Sequence, residues 1–411
     1  MTLRKSDNMP LDPNHTSLSE GISPEGYIYG LPEKIPVERP EWKPWHKPRK
    51  QWLRDKQWCT AIQKLKGLLR LHERPFSYLS LPGDELLDFR VITKLCGELE
   101  INKVKLVGFN DCKSSGDSGR RLTVAKNEVF TNDVVVEHSD VHSDDFKKIS
   151  NLDSIAYKFA DEKGPYDVIN LDLCDSFSGT SQDESYYKAT LNLLNLQIQR
   201  RTEPWLFLLT TRADKAKVNL EDIQHFGLNI QHNVSLSSNF KLNFEENYLI
   251  EECNSDFDFQ NHARRTYSPH FEKLFGLFLG KWLLRITHTS QRWSLELLDS
   301  YWYRTNRATA FFPNMLSLAF LFQPIPVQVD DPSGLAQIER SRSAVPNETA
   351  QAIDMLNKMN QLKDVDLYLH QNKSEFEEAL QNSEALLYKA GYVMASYRQW
   401  AMSVLPPFHD Q

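Results

Sequence analysis

Two aspartates follow a strongly apolar segment near the middle of the chain. Residues 166–171 predict a buried strand, and Asp172 and Asp175 come after it. Carboxylates released at the carboxyl end of a buried strand are typical of a site that orients a substrate at the edge of an α/β sheet. Asp172 and Asp175 are therefore the candidate catalytic residues. The alternatives are that Asp172 caps the following loop, or that Arg212 pairs with one of the two acids.

A second candidate region follows the strand predicted at residues 76–81. Gly83 is able to take a positive φ and open the loop, and Asp84 and Glu85 stand where the first turn of a helix favours acids. The same acids would repel a pyrophosphate, which disfavours NAD or a nucleoside triphosphate at this place. Gly83 and Asp84 are candidate cofactor-binding residues, and a simple helix start is the alternative.

Polar residues also follow the next two predicted strands, at 104–109 and 134–137. Asn110 and Asp111 end the first, and Asp144 comes a few residues after the second. Because parallel strands end at one edge of a sheet, these side chains are expected near Gly83 and complete the predicted cofactor site. The alternative for Asp144 is a solvated loop.

Histidine and cysteine side chains are potential metal ligands in this sequence. His138 and His142 lie near carboxylates and have the chemistry of metal ligands, so a metal site is a minor alternative for this loop. The five cysteines form no CxxC pair. This pattern argues against a zinc ribbon and a disulfide framework, and it fits a reducing compartment.

A basic and aromatic segment spans residues 42–58. Mixed tryptophans and cations of this kind can bind single-stranded nucleic acid through charge and stacking. The net charge of −7 provides no general attraction to nucleic acid, so a local patch would be required. The alternatives are that the segment anchors onto its own core or docks another protein. The candidate nucleic-acid contacts are Lys47, Arg49, Lys50 and Arg54.

Short apolar strands alternate with helices from residue 76 to residue 210. This order predicts an α/β fold: a Rossmann-like, mostly parallel sheet with helices on both faces, plus an N-terminal arm and a C-terminal helical extension. The expected divisions are an extended or disordered arm (1–50), the Rossmann-like core (51–250), an aromatic region (251–330), a linker (331–349) and a helical tail (350–411).

Two aromatic segments, 293–303 and 315–326, allow two arrangements. They are either late strands that complete the sheet or a separate lid. No apolar run reaches the ~20 residues that span a bilayer, and the N-terminus lacks the apolar region of a secretory signal. We therefore expect a cytoplasmic protein with no membrane contact.

The order of the strands over residues 76–213, together with the string LPGDELLDFRVI and the string GPYDVINLDLCDS, resembles the class I S-adenosylmethionine-dependent methyltransferases. The resemblance implies S-adenosylmethionine as cofactor. It places Gly83 near the methionine part, Asn110 or Asp111 near the ribose, Asp144 near the adenine and Asp172 beside the methyl acceptor. With the string WKPWHKPRKQWLRDKQW, the chain also resembles an uncharacterised bacterial family associated with anti-phage defence clusters.

Two functions from different classes follow. In the first, the domain is degenerate and serves as a binding or scaffold subunit of a multi-protein complex. Its support is that the loop at Gly83 has a single glycine, that no Pro-Pro-aromatic run follows Asp172, and that the helical tail and the N-terminal arm suit the docking of a partner. In the second, it is an active methyltransferase acting on nucleic acid or protein. An open cavity beside Gly83 would favour the enzyme, and a plugged one the scaffold.

Overall fold

The computed structural model describes residues 42–112, 116–179, 186–305, 312–326 and 347–403. These residues belong to one compact unit built on a single large sheet. Residues 1–41 of the predicted arm (1–50) and residues 331–346 of the predicted linker (331–349) lie outside the described residues.

Five parallel strands form the half of the sheet that carries the predicted site. They lie in the order β3-β2-β1-β4-β5, so the strand order reverses between β1 and β4. Ligands of open α/β sheets bind at such a reversal, outside the carboxyl ends of the strands. The strands are β1 (Phe76–Ser80), β2 (Val104–Phe109), β3 (Asp140–His142), β4 (Val168–Ser176) and β5 (Trp205–Arg212).

Four further strands complete the sheet. β8 runs antiparallel to β5 along its whole length, and both β6 and β7 pair with β8. The two aromatic segments are therefore strands of the main sheet and not a separate lid. The nine-stranded, mostly parallel sheet confirms the predicted Rossmann-like fold class. These strands are β6 (Trp293–Leu297), β7 (Tyr301–Tyr303), β8 (Met315–Pro324) and β9 (Lys363–Asp364).

The described ranges contain fourteen α-helices, together with two short 3₁₀ helices and a π-helical turn, Arg54–Trp58, between the first two. The 3₁₀ helices are Pro44–His46 and Phe146–Ser150. The α-helices are α1 (Pro48–Leu53), α2 (Cys59–Lys66), α3 (Leu87–Glu98), α4 (Asp117–Phe130), α5 (Ile155–Lys163), α6 (Tyr186–Arg200), α7 (Leu220–Leu236), α8 (Ser238–Asn247), α9 (Phe259–Arg265), α10 (His270–Ser290), α11 (Glu348–Asn360), α12 (Val365–Gln371), α13 (Lys373–Lys389) and α14 (Tyr397–Ser403).

Helices cover both faces of the sheet. Because side chains alternate across a strand, Tyr78 and Leu208 face one apolar cluster while Leu79 and Phe207 face the other. Helices α2, α3 and α4 contribute to the first cluster, and α5, α6, α7, α10 and α11 to the second. Strands that are buried on both faces explain the nearly continuous apolar runs of the sequence.

The terminal helices pack near the site edge of the sheet. Residues 42–50, predicted as the end of an extended arm, instead form a 3₁₀ helix and the start of α1, and from His46 onward they are buried. Helix α13 packs against α1 and α3. The ring of Trp42 stacks on Tyr392 at 5.2 Å between centroids, so aromatic contacts join the two ends of the described chain.

Two local predictions differ from the structure. The third strand is Asp140–His142, and the apolar run at 134–137 contributes only an isolated bridge from Val135 to Val104. Helix α4 occupies a region for which the sequence pattern predicted no element. Among the described residues, no helix is long and apolar enough to cross a membrane.

Candidate functional site

A cavity of about 880 Å³ opens at the carboxyl ends of β1, β2 and β4. Six of the seven residues predicted as catalytic or cofactor-binding line it. They are Gly83, Asp84, Asn110, Asp111, Asp144 and Asp172. The seventh, Asp175, is exposed, accepts a hydrogen bond from the backbone N–H of Ser176 at 3.0 Å, and is not among the lining residues.

The loop after β1 forms one wall of the cavity. Gly83 does not have a left-handed φ, contrary to the prediction, and the positive φ of this loop, 52°, belongs to Leu86. A Cβ built on Gly83 would contact one atom within 4 Å, Oε2 of Glu85 at 3.9 Å, so the backbone faces open space. Asp84 is not free, because Arg121 donates to it at 2.8 Å and Ser118 also donates to it.

Asn110 has a structural role at the end of β2. Its Nδ2 donates to the carbonyl of Pro82 at 2.8 Å, and its Oδ1 accepts from the backbone N–H of Cys112 at 2.8 Å. Asn110 therefore fastens the β1 loop to the end of β2, and both ends of its amide are used. Asp111 is exposed and forms no hydrogen bond or ion pair with any other described residue.

Asp144 lies past β3 within a small cluster of charges. Lys148 donates to it at 2.6 Å, and the backbone N–H of Asp145 donates at 2.9 Å. Burial opposes ionisation, but these donors hold the pKa of Asp144 below its usual range, so the carboxylate is charged at neutral pH. Its neighbour Asp145 caps the following 3₁₀ helix through the backbone N–H of Lys147.

The partner of Asp172 is Lys50, from the N-terminal helix α1. The Nζ of Lys50 lies 2.6 Å from Oδ1 of Asp172. Burial disfavours the ammonium, but the charge of Asp172 outweighs it and raises the pKa of Lys50. Arg212, expected to pair with Asp172 or Asp175, instead binds Asp214 with both ends of its guanidinium, at 2.9 and 3.2 Å.

The four basic residues predicted to contact nucleic acid are buried. Arg49 pairs with Asp366 at 3.2 Å, and Arg54 with Asp88 at 3.4 Å. Lys47 donates to the carbonyl of Trp400 and lies 3.5 Å from the centre of its ring. The exposed basic strip that the prediction requires is therefore not formed by these four side chains, because distant carboxylates and rings cover the cations.

Several cavity residues have no counterpart in the predicted site. Lys50 is one of the predicted nucleic-acid contacts, and Arg121 and Tyr303 belong to none of the predicted sites. All three line the cavity. One feature of the sequence could have placed Lys50 in the site, namely its spacing from Arg54. Four residues apart on a helix, they share one face, and a buried face with two cations requires carboxylates opposite.

The two histidines predicted as alternative metal ligands have different surroundings, and Nε2 of His142 lies 4.0 Å from Oδ2 of Asp144. His138 is exposed, and the ring of His142 stacks on Phe159 at 4.8 Å. Across the ranges that the structure describes, no group of three or more His, Cys, Asp or Glu side chains is arranged to hold a metal ion.

None of the curated proteins matches the chain. A solved structure titled "StiE O-MT residues 961-1257" matches with a TM-score of 0.28 and 11% identity, covering 74% of this chain and 81% of that one. The model of the PP_RS20740-like family matches residues 39–402. The chain therefore belongs to the PP_RS20740-like family.

Proposed function

We propose that the cavity binds S-adenosylmethionine and that the protein is a methyltransferase. The observation that carries this proposal is the convergence of polar residues from the ends of three adjacent strands and from the loop past β3 on one open cavity of about 880 Å³. Its volume is in the range of small-molecule and cofactor sites, roughly 300–1,000 Å³.

The lining fits the cofactor in shape and in chemistry. The backbone at Gly83 has space in front of it, which allows a ligand to approach closely. Asp111 and Asp144 supply carboxylate oxygens, which accept hydrogen bonds from ribose hydroxyls and an amine and tolerate a sulfonium charge. A pyrophosphate would meet repulsion from these acids and from Glu85.

The side chains divide into those that would hold the cofactor and those that shape its site. Asn110 and Asp84 are each held by internal hydrogen bonds, so they support the wall. Asp111, Asp144 and the backbone at Gly83 would hold the ligand. When bound, the cofactor supplies an electrophilic methyl group on a positively charged sulfur. Asp172 orients the acceptor from within β4, which runs on to Ser176, at the residue after which the ladder with β5 shifts register.

Calorimetric titration with S-adenosylhomocysteine tests the proposal. The wild-type protein should bind this product at micromolar strength, and Gly83→Trp should abolish binding by filling the space beside the loop. The matched control is Gly97→Trp, because Gly97 lies on α3 with no atom within 4 Å of a built Cβ. Asp144→Ala should weaken binding. No heat and no thermal shift with wild type at millimolar ligand would contradict the proposal.

A scaffold subunit is the second candidate function. Its support is the internal hydrogen bonding of Asn110 and Asp84, and three exposed leucines on and after α7 and α8, Leu236, Leu242 and Leu249, at 65%, 65% and 72% exposure. Exposed apolar side chains favour association with a protein partner where they form a patch. The titration separates the two functions, because a scaffold without cofactor does not distinguish Gly83→Trp from Gly97→Trp.

A further inference from the structure

The cavity contains a second set of groups away from the β1 loop, around Lys50 and Asp172. We propose that these two residues bind a hydroxyl group carried on an aromatic ring, with Asp172 accepting the hydroxyl proton and Lys50 stabilising the oxyanion. The inference rests on the proposed function, since it names the class of acceptor for that site.

Unused hydrogen-bonding capacity is the first support. An ammonium has three donors, and Lys50 uses one, to Oδ1 of Asp172; none of the other described residues accepts a hydrogen bond from it. Oδ2 of Asp172 accepts no hydrogen bond within the same described ranges, and the side chain is 17% exposed, on the cavity. A buried cation with spare donors therefore stands beside a carboxylate that lines the cavity and has one oxygen without a hydrogen-bond partner among the described residues.

The surroundings of Lys50 are aromatic. Its ammonium lies 4.8 Å from the ring centre of Trp58 and 5.8 Å from that of Tyr303, and its side chain is 3% exposed. Tyr303 and Met315 line the cavity beside the ion pair. These walls suit a flat apolar ring better than a polar chain. Little water reaches the ammonium, which strengthens its attraction for an oxyanion.

The charges favour a hydroxyl over an amine. A positive Lys50 stabilises a developing oxyanion and repels an ammonium or a developing cation on nitrogen. In the step proposed here, the O–H bond breaks, the proton passes to Oδ2 of Asp172, and the electron pair stays on oxygen, leaving a nucleophile for the methyl group. Burial raises the pKa of Tyr303, so its hydroxyl stays protonated and can donate to the same oxygen.

Other titratable groups surround the pair. Arg54 pairs with Asp88 at 3.4 Å, so this second cation has a partner, and burial raises the pKa of Asp88. Burial raises the pKa of Cys174, and the thiol is neutral near pH 7. Among the described residues, the side chains of Lys50 and Asp172 pair with each other and with none of these groups.

The test uses 4-nitrophenol, a phenol that absorbs visible light as its phenolate and ionises near neutral pH. The full chain is saturated with S-adenosylhomocysteine, and the pKa of the bound probe is read from its absorbance. Lys50→Met should raise this pKa and weaken phenolate binding by roughly ten-fold, because a charge-assisted hydrogen bond is lost. Asp172→Asn should lower it, because a nearby negative charge is removed.

Further variants keep the test decisive. The double variant Lys50→Met/Asp172→Asn leaves no unpaired charge, and its bound probe should have a pKa between those of the single variants. If Lys50→Met does not fold, a lower probe pKa in Asp172→Asn than in the double variant still supports the inference. The matched control is Lys56→Met, because Lys56 follows on the same helical segment but pairs with Glu378 at the surface.

The outcomes separate the two proposals. S-adenosylhomocysteine binding with the expected order of probe pKa values supports both. Cofactor binding with no probe binding, or with a probe pKa that Lys50→Met leaves unchanged, overturns the acceptor site alone. A wild-type protein that does not bind the cofactor product overturns the proposed function, and the acceptor role with it.

Discussion

The hydroxyl of Tyr392 donates a hydrogen bond of 2.9 Å to Oε1 of Glu85, although 307 residues separate them in the chain. Glu85 belongs to the loop after β1, and Tyr392 follows helix α13. His46, from the N-terminal segment, lies 3.4 Å from the same hydroxyl. Burial and then Arg54 lower the pKa of His46 to about 3, so it is neutral here. Three distant parts of the chain thus form one wall of the cavity.

This contact predicts a stability difference between two tyrosines. Tyr392→Phe removes the donor from a carboxylate that is 8% exposed, and should reduce the free energy of unfolding by about 1–3 kcal/mol. Tyr388→Phe is the matched control, because Tyr388 is 71% exposed, and should change it by less than about 0.5 kcal/mol. Urea unfolding measures both, and coinciding midpoints for the two variants would contradict the role of the contact.

A second prediction concerns the start of β4. Asp167 is fully buried, binds Arg74 through two hydrogen bonds of 2.7 Å, pairs with Arg201, and accepts from the backbone N–H of Ser77 at 2.7 Å. Asp167→Asn leaves the guanidinium groups of Arg74 and Arg201 to share the single carboxylate of Glu203, and should reduce the free energy of unfolding by about 3–5 kcal/mol.

The control for this carboxylate is another aspartate–arginine pair. Asp161 binds Arg200 at the surface, where the two side chains are 47% and 41% exposed. Asp161→Asn should change the free energy of unfolding by about 0–1 kcal/mol, because water screens the pair. If Asp161→Asn and Asp167→Asn reduced the free energy of unfolding by similar amounts, burial would not determine how much these ion pairs contribute to stability.

The part of the site on the strand ends could be predicted from sequence. Parallel strands end at one edge of a sheet, so residues such as Gly83, Asn110 and Asp172 were expected together, and all three line one cavity. Lys50 could not be placed this way. It lies 122 residues before Asp172, and a run of cations alternating with tryptophans is compatible with both an exposed basic strip and an anchor on the protein's own core.

The register of β3 shows a second limit. An apolar run at 134–137 has the composition of a strand, but Asp140–His142 makes the ladder with β2, from Val107 to Phe109. A strand of three residues, two of which are polar, is too short to show the alternation of apolar and polar residues by which strands are predicted. The pairing depends on which backbone groups of β2 remain open at the edge of the sheet, and that is a property of the assembled fold.

A glycine on α7 supplies a third prediction. A Cβ on Gly227 would lie 2.3 Å from Cγ of Phe259, an aromatic ring fixed in the core. Gly227→Ala should therefore lower the free energy of unfolding by about 1–3 kcal/mol through overpacking. Gly97→Ala, on an open face of α3, should raise it by up to about 1 kcal/mol. Thermal unfolding of both variants tests the contrast, and a stabilised Gly227→Ala would contradict it.

The pH dependence of stability should reveal the buried Lys47. Burial and then Arg49 lower its pKa from 10.5 to about 7 in the folded protein. Between these two values the unfolded chain binds a proton that the folded chain does not, so the contribution of Lys47 to stability rises with pH across this window. Below about pH 7 both states are protonated and the contribution is flat.

Lys47→Met isolates that contribution from the other titrating groups. The difference in unfolding free energy, wild type minus variant, should rise from pH 7 to pH 10 and stay level from pH 5 to pH 6.5. Lys94→Met, on the exposed face of α3 where Lys94 pairs with Glu98, serves as the control for the loss of a surface ammonium. Urea titrations at each pH supply the values. A difference for Lys47→Met that falls with rising pH would mean that the folded protein keeps this ammonium charged, and that the ring of Trp400 outweighs burial.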